Sequence, residues 1–270
     1  MKNGHPRSPG GNTLVILDAC VLLPSRLSDV LFDLMLEGLY FAYWTGDVEA
    51  EFLRNWPVVH PDAAKSGPKR LKAFQRATNN GHLIIGYDDE AFMSRVPARV
   101  HKNDRHLVAA ALVMTNGLDE EDDPALHQVV IVSDNTRKAR IYSSWRAITW
   151  LGRSAALVFL QISRYLLQKP PCIPSRPKRR ASTRINPRFP RHLAVADTRK
   201  LGIEVVKAGA FLDGMFEAEP QRSIQVISKS LSDLKKPPYS RQEMLAALRL
   251  HGARAIATGL AQSWAFEEKR

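Results

Sequence analysis

Leu14-Val15-Ile16-Leu17-Asp18 is the stretch that decides the fold. Four apolar residues run without alternation and end on a carboxylate. A run of this length without period-two alternation suits a strand buried on both faces, as in a parallel sheet. Val129-Val130-Ile131-Val132 repeats the pattern and closes on Ser133-Asp134-Asn135. Helical patterns separate the two runs. Ser28 reads as an N-cap, followed by Val30, Leu31, Leu34 and Met35 with Gly38 as the stop. A second helix starts near Thr45, carries Glu51 and Arg54, and ends before Pro57. A third runs from Asn103, taken as its cap, to Thr115, with Gly117 as the stop. Strands alternating with helices predict a layered α/β fold with a parallel sheet flanked by helices. In such sheets ligands bind beyond the carboxyl ends of the strands, where Asp18 and Asp134 stand.

The bulk composition narrows the function classes. The 270 residues are 44% hydrophobic, enough for a packed core and too apolar for global disorder. The net charge is +12 with a pI near 9.9, which favours polyanionic partners such as nucleic acid, an acidic protein or an anionic membrane surface. Cys20 and Cys172 are the two cysteines, too few and too far apart for a disulfide framework or a zinc site. That usage implies a reducing compartment, and cytoplasmic location is the expectation. Met1 to Asn12 is polar and rich in Gly and Pro, without the apolar core of a signal peptide. The longest apolar stretch, Ala155 to Leu160, is far too short to span a bilayer, so no membrane span is expected.

Beyond Asn135 the character changes. Trp145 to Leu167 reads as an apolar, cationic helix, and Lys169 to Arg191 as a Pro/Arg/Lys-rich basic linker. Order returns at Leu201 to Val206. Gly209 to Gly214 then leads towards a helix at about Gln221 to Leu234. Ser240-Arg241-Gln242-Glu243 is a capping box opening a last helix that stops at Gly252. Three parts follow: residues 1–135 as an α/β core, 136–190 as a basic insertion with one apolar helix, and 191–270 as a return to the core with a small helical extension.

Asp18 at a strand end, Glu51 on a helix and Asp104 at a helix start are spaced carboxylates. If they converge they form a hard-oxygen pocket suited to Mg²⁺ or Mn²⁺. Singly, each has a plainer reading as a turn residue, a dipole partner or a solvated surface group. Their combination resembles a known family. Leu17-Asp18-Ala19-Cys20-Val21-Leu22-Leu23-Pro24 resembles the opening strand and loop of PIN-domain toxins of the VapC type. Glu51-Phe52-Leu53-Arg54-Asn55 is similar to their Glu-x-x-Arg-Asn helix, and Asp104-Arg105-His106-Leu107 to their Asp-Arg-His helix start. Residues 202–206 and 211–212, Lys236 to Ser240 and the final helix resemble an accessory helical tail of one subgroup.

The resemblance implies a PIN-like ribonuclease with Asp18, Glu51 and Asp104 as metal ligands and RNA as substrate. A type II toxin–antitoxin role would add an antitoxin protein as partner, and a homodimer is a further expected assembly. In the family the last core strand leads into Thr-x-Asn, then an acidic residue or His, then Phe-Pro. Here Ser133-Asp134-Asn135 matches the first part, and Phe-Pro returns only at Phe189-Pro190. Roughly 50 residues therefore stand where connections usually have about 4–6. The acidic residue before Phe-Pro is missing, and Asp134, one place away, is the candidate fourth carboxylate. Ser133, Asn135 and Arg105 are candidate substrate contacts. The alternative reading is a catalytically impaired PIN-like domain that binds RNA or an antitoxin. The insertion itself has three readings: an RNA-gripping arm using Tyr142, Trp145 and Trp150 with its cations, a membrane-surface helix, or a passive insertion. His106 beside Asp104 suits a phosphate contact, although packing is its plainer role. Cys20 reads as buried packing.

Overall fold

In the computed structural model the two apolar runs are β1 (Thr13–Leu17) and β3 (Gln128–Val132), paired in parallel at the centre of the sheet. The description covers residues 13–117, 128–134, 193–233 and 239–268. The insertion, Asn135 and Cys172 fall outside it. Val15, Ile16, Leu17, Ile131 and Val132 are all fully buried, which is why neither run alternates.

From β1 the chain makes one short turn, α1 (Ala19–Leu22), and enters α2 (Ser25–Leu36). Ser28 does not cap α2. The helix begins one turn earlier behind Pro24, and the Ser28 hydroxyl instead donates back to the Pro24 and Ser25 carbonyls. Gly38, at φ +74°, turns the chain into β2 (Phe41–Tyr43), parallel to β1 on its outer side. Thr45 then caps α3 (Gly46–Val59). The expected stop before Pro57 fails, because proline lies within the helix. Only Val58 and Val59 follow it, so few bonds are lost, and Trp56 anchors this turn by donating its indole N–H to the Ala63 carbonyl at 3.0 Å.

A 3-10 turn (Pro61–Ser66) and α4 (Gly67–Ala77) follow. Leu83 then adds one parallel bridge beyond β2, to Trp44. Past α5 (Glu90–Met93), a 3-10 turn (Lys102–Asp104) leads into α6 (Arg105–Asn116). His101, not Asn103, caps this start, its Nδ1 accepting the Asn103 N–H.

After residue 193 come α7 (Val195–Arg199) and β4 (Glu204–Val206), which pairs in parallel with β3. The sheet order is β2-β1-β3-β4. The carboxyl third thus contributes a strand as well as helices. Residues 209–214, expected as a lead-in, lie inside α8 (Ala208–Ala218), and α9 (Pro220–Asp233) comes next. The capping box forms as expected on α10 (Arg241–Leu250), and Gly252, at φ +83°, ends it. A further helix, α11 (Arg254–Glu267), continues beyond that stop. Helices α9 and α10 pack on α2, and Phe211 of α8 meets the ring of Tyr40 edge-on at 5.0 Å. Among the described residues no helix is long and apolar enough to cross a membrane.

Candidate active site

The carboxyl ends of β1 and β3 are tied together by backbone and side chain. Asp18 N–H donates to the Val132 carbonyl at 3.1 Å, and the buried Ser133 hydroxyl donates to Asp18 Oδ2 at 2.6 Å. The Cys20 thiol donates to the same oxygen at 3.1 Å. Burial and the Asp18 charge push the Cys20 thiol well above its ordinary value, so it stays a neutral donor and not a nucleophile. Ser133, expected as a substrate contact, therefore holds Asp18 in place from inside the protein. Arg105, the other described candidate, donates to the Met93 carbonyl at 3.0 Å and secures α5 against α6.

Glu51 projects from α3 and Asp104 stands at the start of α6. Both line a cavity of about 420 Å³. Burial raises the Glu51 carboxyl above its ordinary value, and the charges of Asp18 and Asp104 raise it further, with Arg54 opposing. Three carboxylates from β1, α3 and α6 thus share one electrostatic neighbourhood. Asp18 and Asp104 are buried, at 5% and 6% exposure. Neither Asp18 nor Glu51 enters a salt bridge among the described residues.

Asp134 is placed differently. Its Oδ1 accepts the Ala208 N–H at the start of α8 at 3.1 Å, and its Oδ2 lies 3.4 Å from His251 Nδ1. The carboxylate anchors the carboxyl-terminal helices; neither it nor Asp18 is among the residues that line the cavity, but Asp18 acts on Glu51 electrostatically and Asp134 does not. The expectation that it completes the acidic set is not what its contacts express.

The cavity has members the sequence reading passed over. Asp47 stands one helical turn before Glu51 on α3, and Tyr87 bonds to it through the phenol. The i, i+4 spacing of Asp47 and Glu51 was the available signal. Arg54 and Lys102 bring cations to the same wall. His106 also lines the cavity, its Nδ1 2.8 Å from the Thr45 hydroxyl. Burial lowers the His106 pKa, while the carboxylates of Asp47, Asp18 and Asp104 pull it back up.

The oxygen-only donor set of Asp18, Glu51 and Asp104 fits a hard divalent cation in chemistry, and the mutual repulsion felt by Glu51 is what such an ion relieves. Among the described residues no three His, Cys, Asp or Glu side chains already close into a compact ligand shell. No family model, curated protein or solved structure matches the chain.

Proposed function

We propose that the chain is a PIN-like, Mg²⁺- or Mn²⁺-dependent endoribonuclease, acting in the cytoplasm as the toxin of a type II toxin–antitoxin pair. One observation supports the reading: Glu51 and Asp104, read from separate parts of the sequence, line one cavity, and Glu51 feels the charges of both Asp18 and Asp104. A parallel sheet with an acid at the carboxyl end of a central strand supports the PIN-like assignment. The net charge of +12 supports RNA as the partner.

Asp18, Glu51 and Asp104 would hold the cation, whose contribution is Lewis acidity towards a phosphodiester and a water molecule. Ser133 fixes Asp18 by its short hydrogen bond, and the Cys20 thiol supports the same oxygen. Arg54 and Lys102 attract the polyanion towards a cavity that also carries the carboxylates of Asp47, Glu51, Asp88 and Asp104.

A second reading keeps the fold and removes the chemistry: a domain that binds RNA or an antitoxin without cutting. The contacts of Asp134 favour it, since the fourth candidate carboxylate is committed to Ala208 and His251. Incubation of single-stranded RNA with the purified full chain, with and without Mn²⁺ and beside Asp18→Asn, separates the two. Mn²⁺-dependent cleavage that Asp18→Asn abolishes supports the nuclease. RNA binding without any cleavage at millimolar Mn²⁺ selects the second reading.

A further inference from the structure

The buried hydroxyl of Thr45 decides how His106 is protonated. Thr45 is fully buried, so its O–H has no water to reach and needs an acceptor within the protein. Its Oγ1 already accepts the Val48 N–H at 3.3 Å, as the cap of α3. Among the described residues the acceptor in reach of the hydroxyl proton is Nδ1 of His106, at 2.8 Å. A hydroxyl has one proton to give and lone pairs to receive with. Were Nδ1 protonated, two hydrogens would meet in one gap and the Thr45 proton would have nowhere to go. The arrangement that satisfies every atom has Thr45 donating to a bare Nδ1. A neutral imidazole with a bare Nδ1 carries its proton on Nε2.

That ring is half-buried and forms part of the cavity wall with Glu51 and Asp104. The charges of Asp47, Asp18 and Asp104 act on it, the Asn103 carbonyl offers the ring a backbone hydrogen bond, and the Tyr87 ring stands 6.3 Å away. An acidic cavity alone repels a phosphodiester, so donors on its wall decide where the anion settles. Helices α3 and α6 share no broad packing face, and the Thr45–His106 hydrogen bond joins them directly. It therefore fixes the ring as well as its tautomer.

We propose that His106 is a substrate-binding residue: an Nε2–H donor, set by Thr45, that receives a non-bridging oxygen of the RNA phosphodiester beside the acidic residues. The proposal rests on the reading of this cavity as a phosphodiester site.

Two measurements on the full chain test it. In long-range ¹H–¹⁵N spectra at neutral pH, with His106 assigned by its loss in His106→Gln, the wild type should show the Nε2–H tautomer. Thr45→Val, which removes the donor to Nδ1, should move it towards the Nδ1–H form. Short single-stranded RNA should then be titrated in Mn²⁺ against Asp18→Asn, used to prevent cleavage. Adding His106→Ala to that background should weaken binding about tenfold or more. His106→Gln, whose amide offers an N–H, should recover part of it. An Nδ1–H tautomer in the wild type overturns the proposal. So does unchanged RNA affinity in a folded His106→Ala chain, and if wild type cleaves RNA in parallel the nuclease reading survives alone. A wild-type chain that binds no RNA overturns both.

Discussion

Replacing Glu51 by Gln should raise the stability of the ion-free protein and lower that of the ion-loaded protein. The first half follows from the raised carboxyl. A group whose pKa is higher folded than unfolded stabilises the fold fully at pH below its unfolded value. That contribution is lost as pH climbs through the folded value. For Glu51 the loss begins above its ordinary 4.5 and is complete once its raised folded pKa is passed. In EDTA, at a pH above that raised value, the wild type therefore bears an ionised, half-buried carboxylate repelled by Asp18 and Asp104. Glutamine carries no charge there and relieves that repulsion.

The second half is mass action. An ion present at about 100 times its Kd adds roughly 2.7 kcal/mol. For domains of about 150–250 residues each kcal/mol moves Tm by roughly 2–4 °C, so the wild type should gain about 5–10 °C in Mn²⁺. Each tenfold loss of affinity removes about 1.4 kcal/mol of that gain. Differential scanning calorimetry at pH 7, in EDTA and in millimolar MnCl₂, reads both halves. The two melting curves should exchange order between conditions. A Glu51→Gln chain that melts no higher than wild type in EDTA refutes the electrostatic argument. One that keeps the whole Mn²⁺ shift refutes Glu51 as a ligand.

The remaining predictions probe the frame around the site. Asp134→Ala should cost about 0.5–2 kcal/mol, the scale of a lost helix-start acceptor, yet leave the Mn²⁺ shift intact; loss of that shift would return Asp134 to the ligand set. Gly209→Ala would ordinarily favour a helix by about 1 kcal/mol, but its Cβ would stand 2.2 Å from the His251 carbonyl oxygen, so urea unfolding should show a net loss of about 1–3 kcal/mol. Replacing Lys178, Arg179 and Arg180 by Ala should lower the salt dependence of RNA binding by roughly 2–3 units if the insertion grips phosphates, and an unchanged slope would make it passive.

The parts of the fold legible in the sequence are those set by local patterning. Two continuous apolar runs mark the central strands, and Gly38, Thr45, Gly252 and the Ser240–Glu243 box mark helix ends where their side chains or φ angles act locally. What escaped reading depends on distant contacts. Gly209 looks like a break but lies in α8, because the backbone at 251–253 approaches too closely for any Cβ. Gly259 is likewise pressed beneath the Phe216 ring inside α11. Strand β4 has three residues and no period to detect. Around the cavity, Asp18, Glu51 and Asp104 were singled out because their motifs are compact. Thr45 and Tyr87 were missed because their parts are played with residues 61 and 40 positions away (106 − 45; 87 − 47).

The altered end of β3 links these two halves. Ser133 and Asp134 are neighbours on one short exit from the strand, but they face opposite tasks. Ser133 reaches back to Asp18 and orients the acid at the end of β1. Asp134 reaches forward to the N–H that opens α8 and to His251 beyond α10. The sulfur of Cys20, accepting the Asp134 N–H at 3.2 Å while donating to Asp18, joins the two arrangements. A carboxylate that secures the carboxyl-terminal helices cannot also move freely to an ion. The docking of those helices and the absence of Asp134 from the acidic residues around Glu51 are therefore two results of the same side-chain choice.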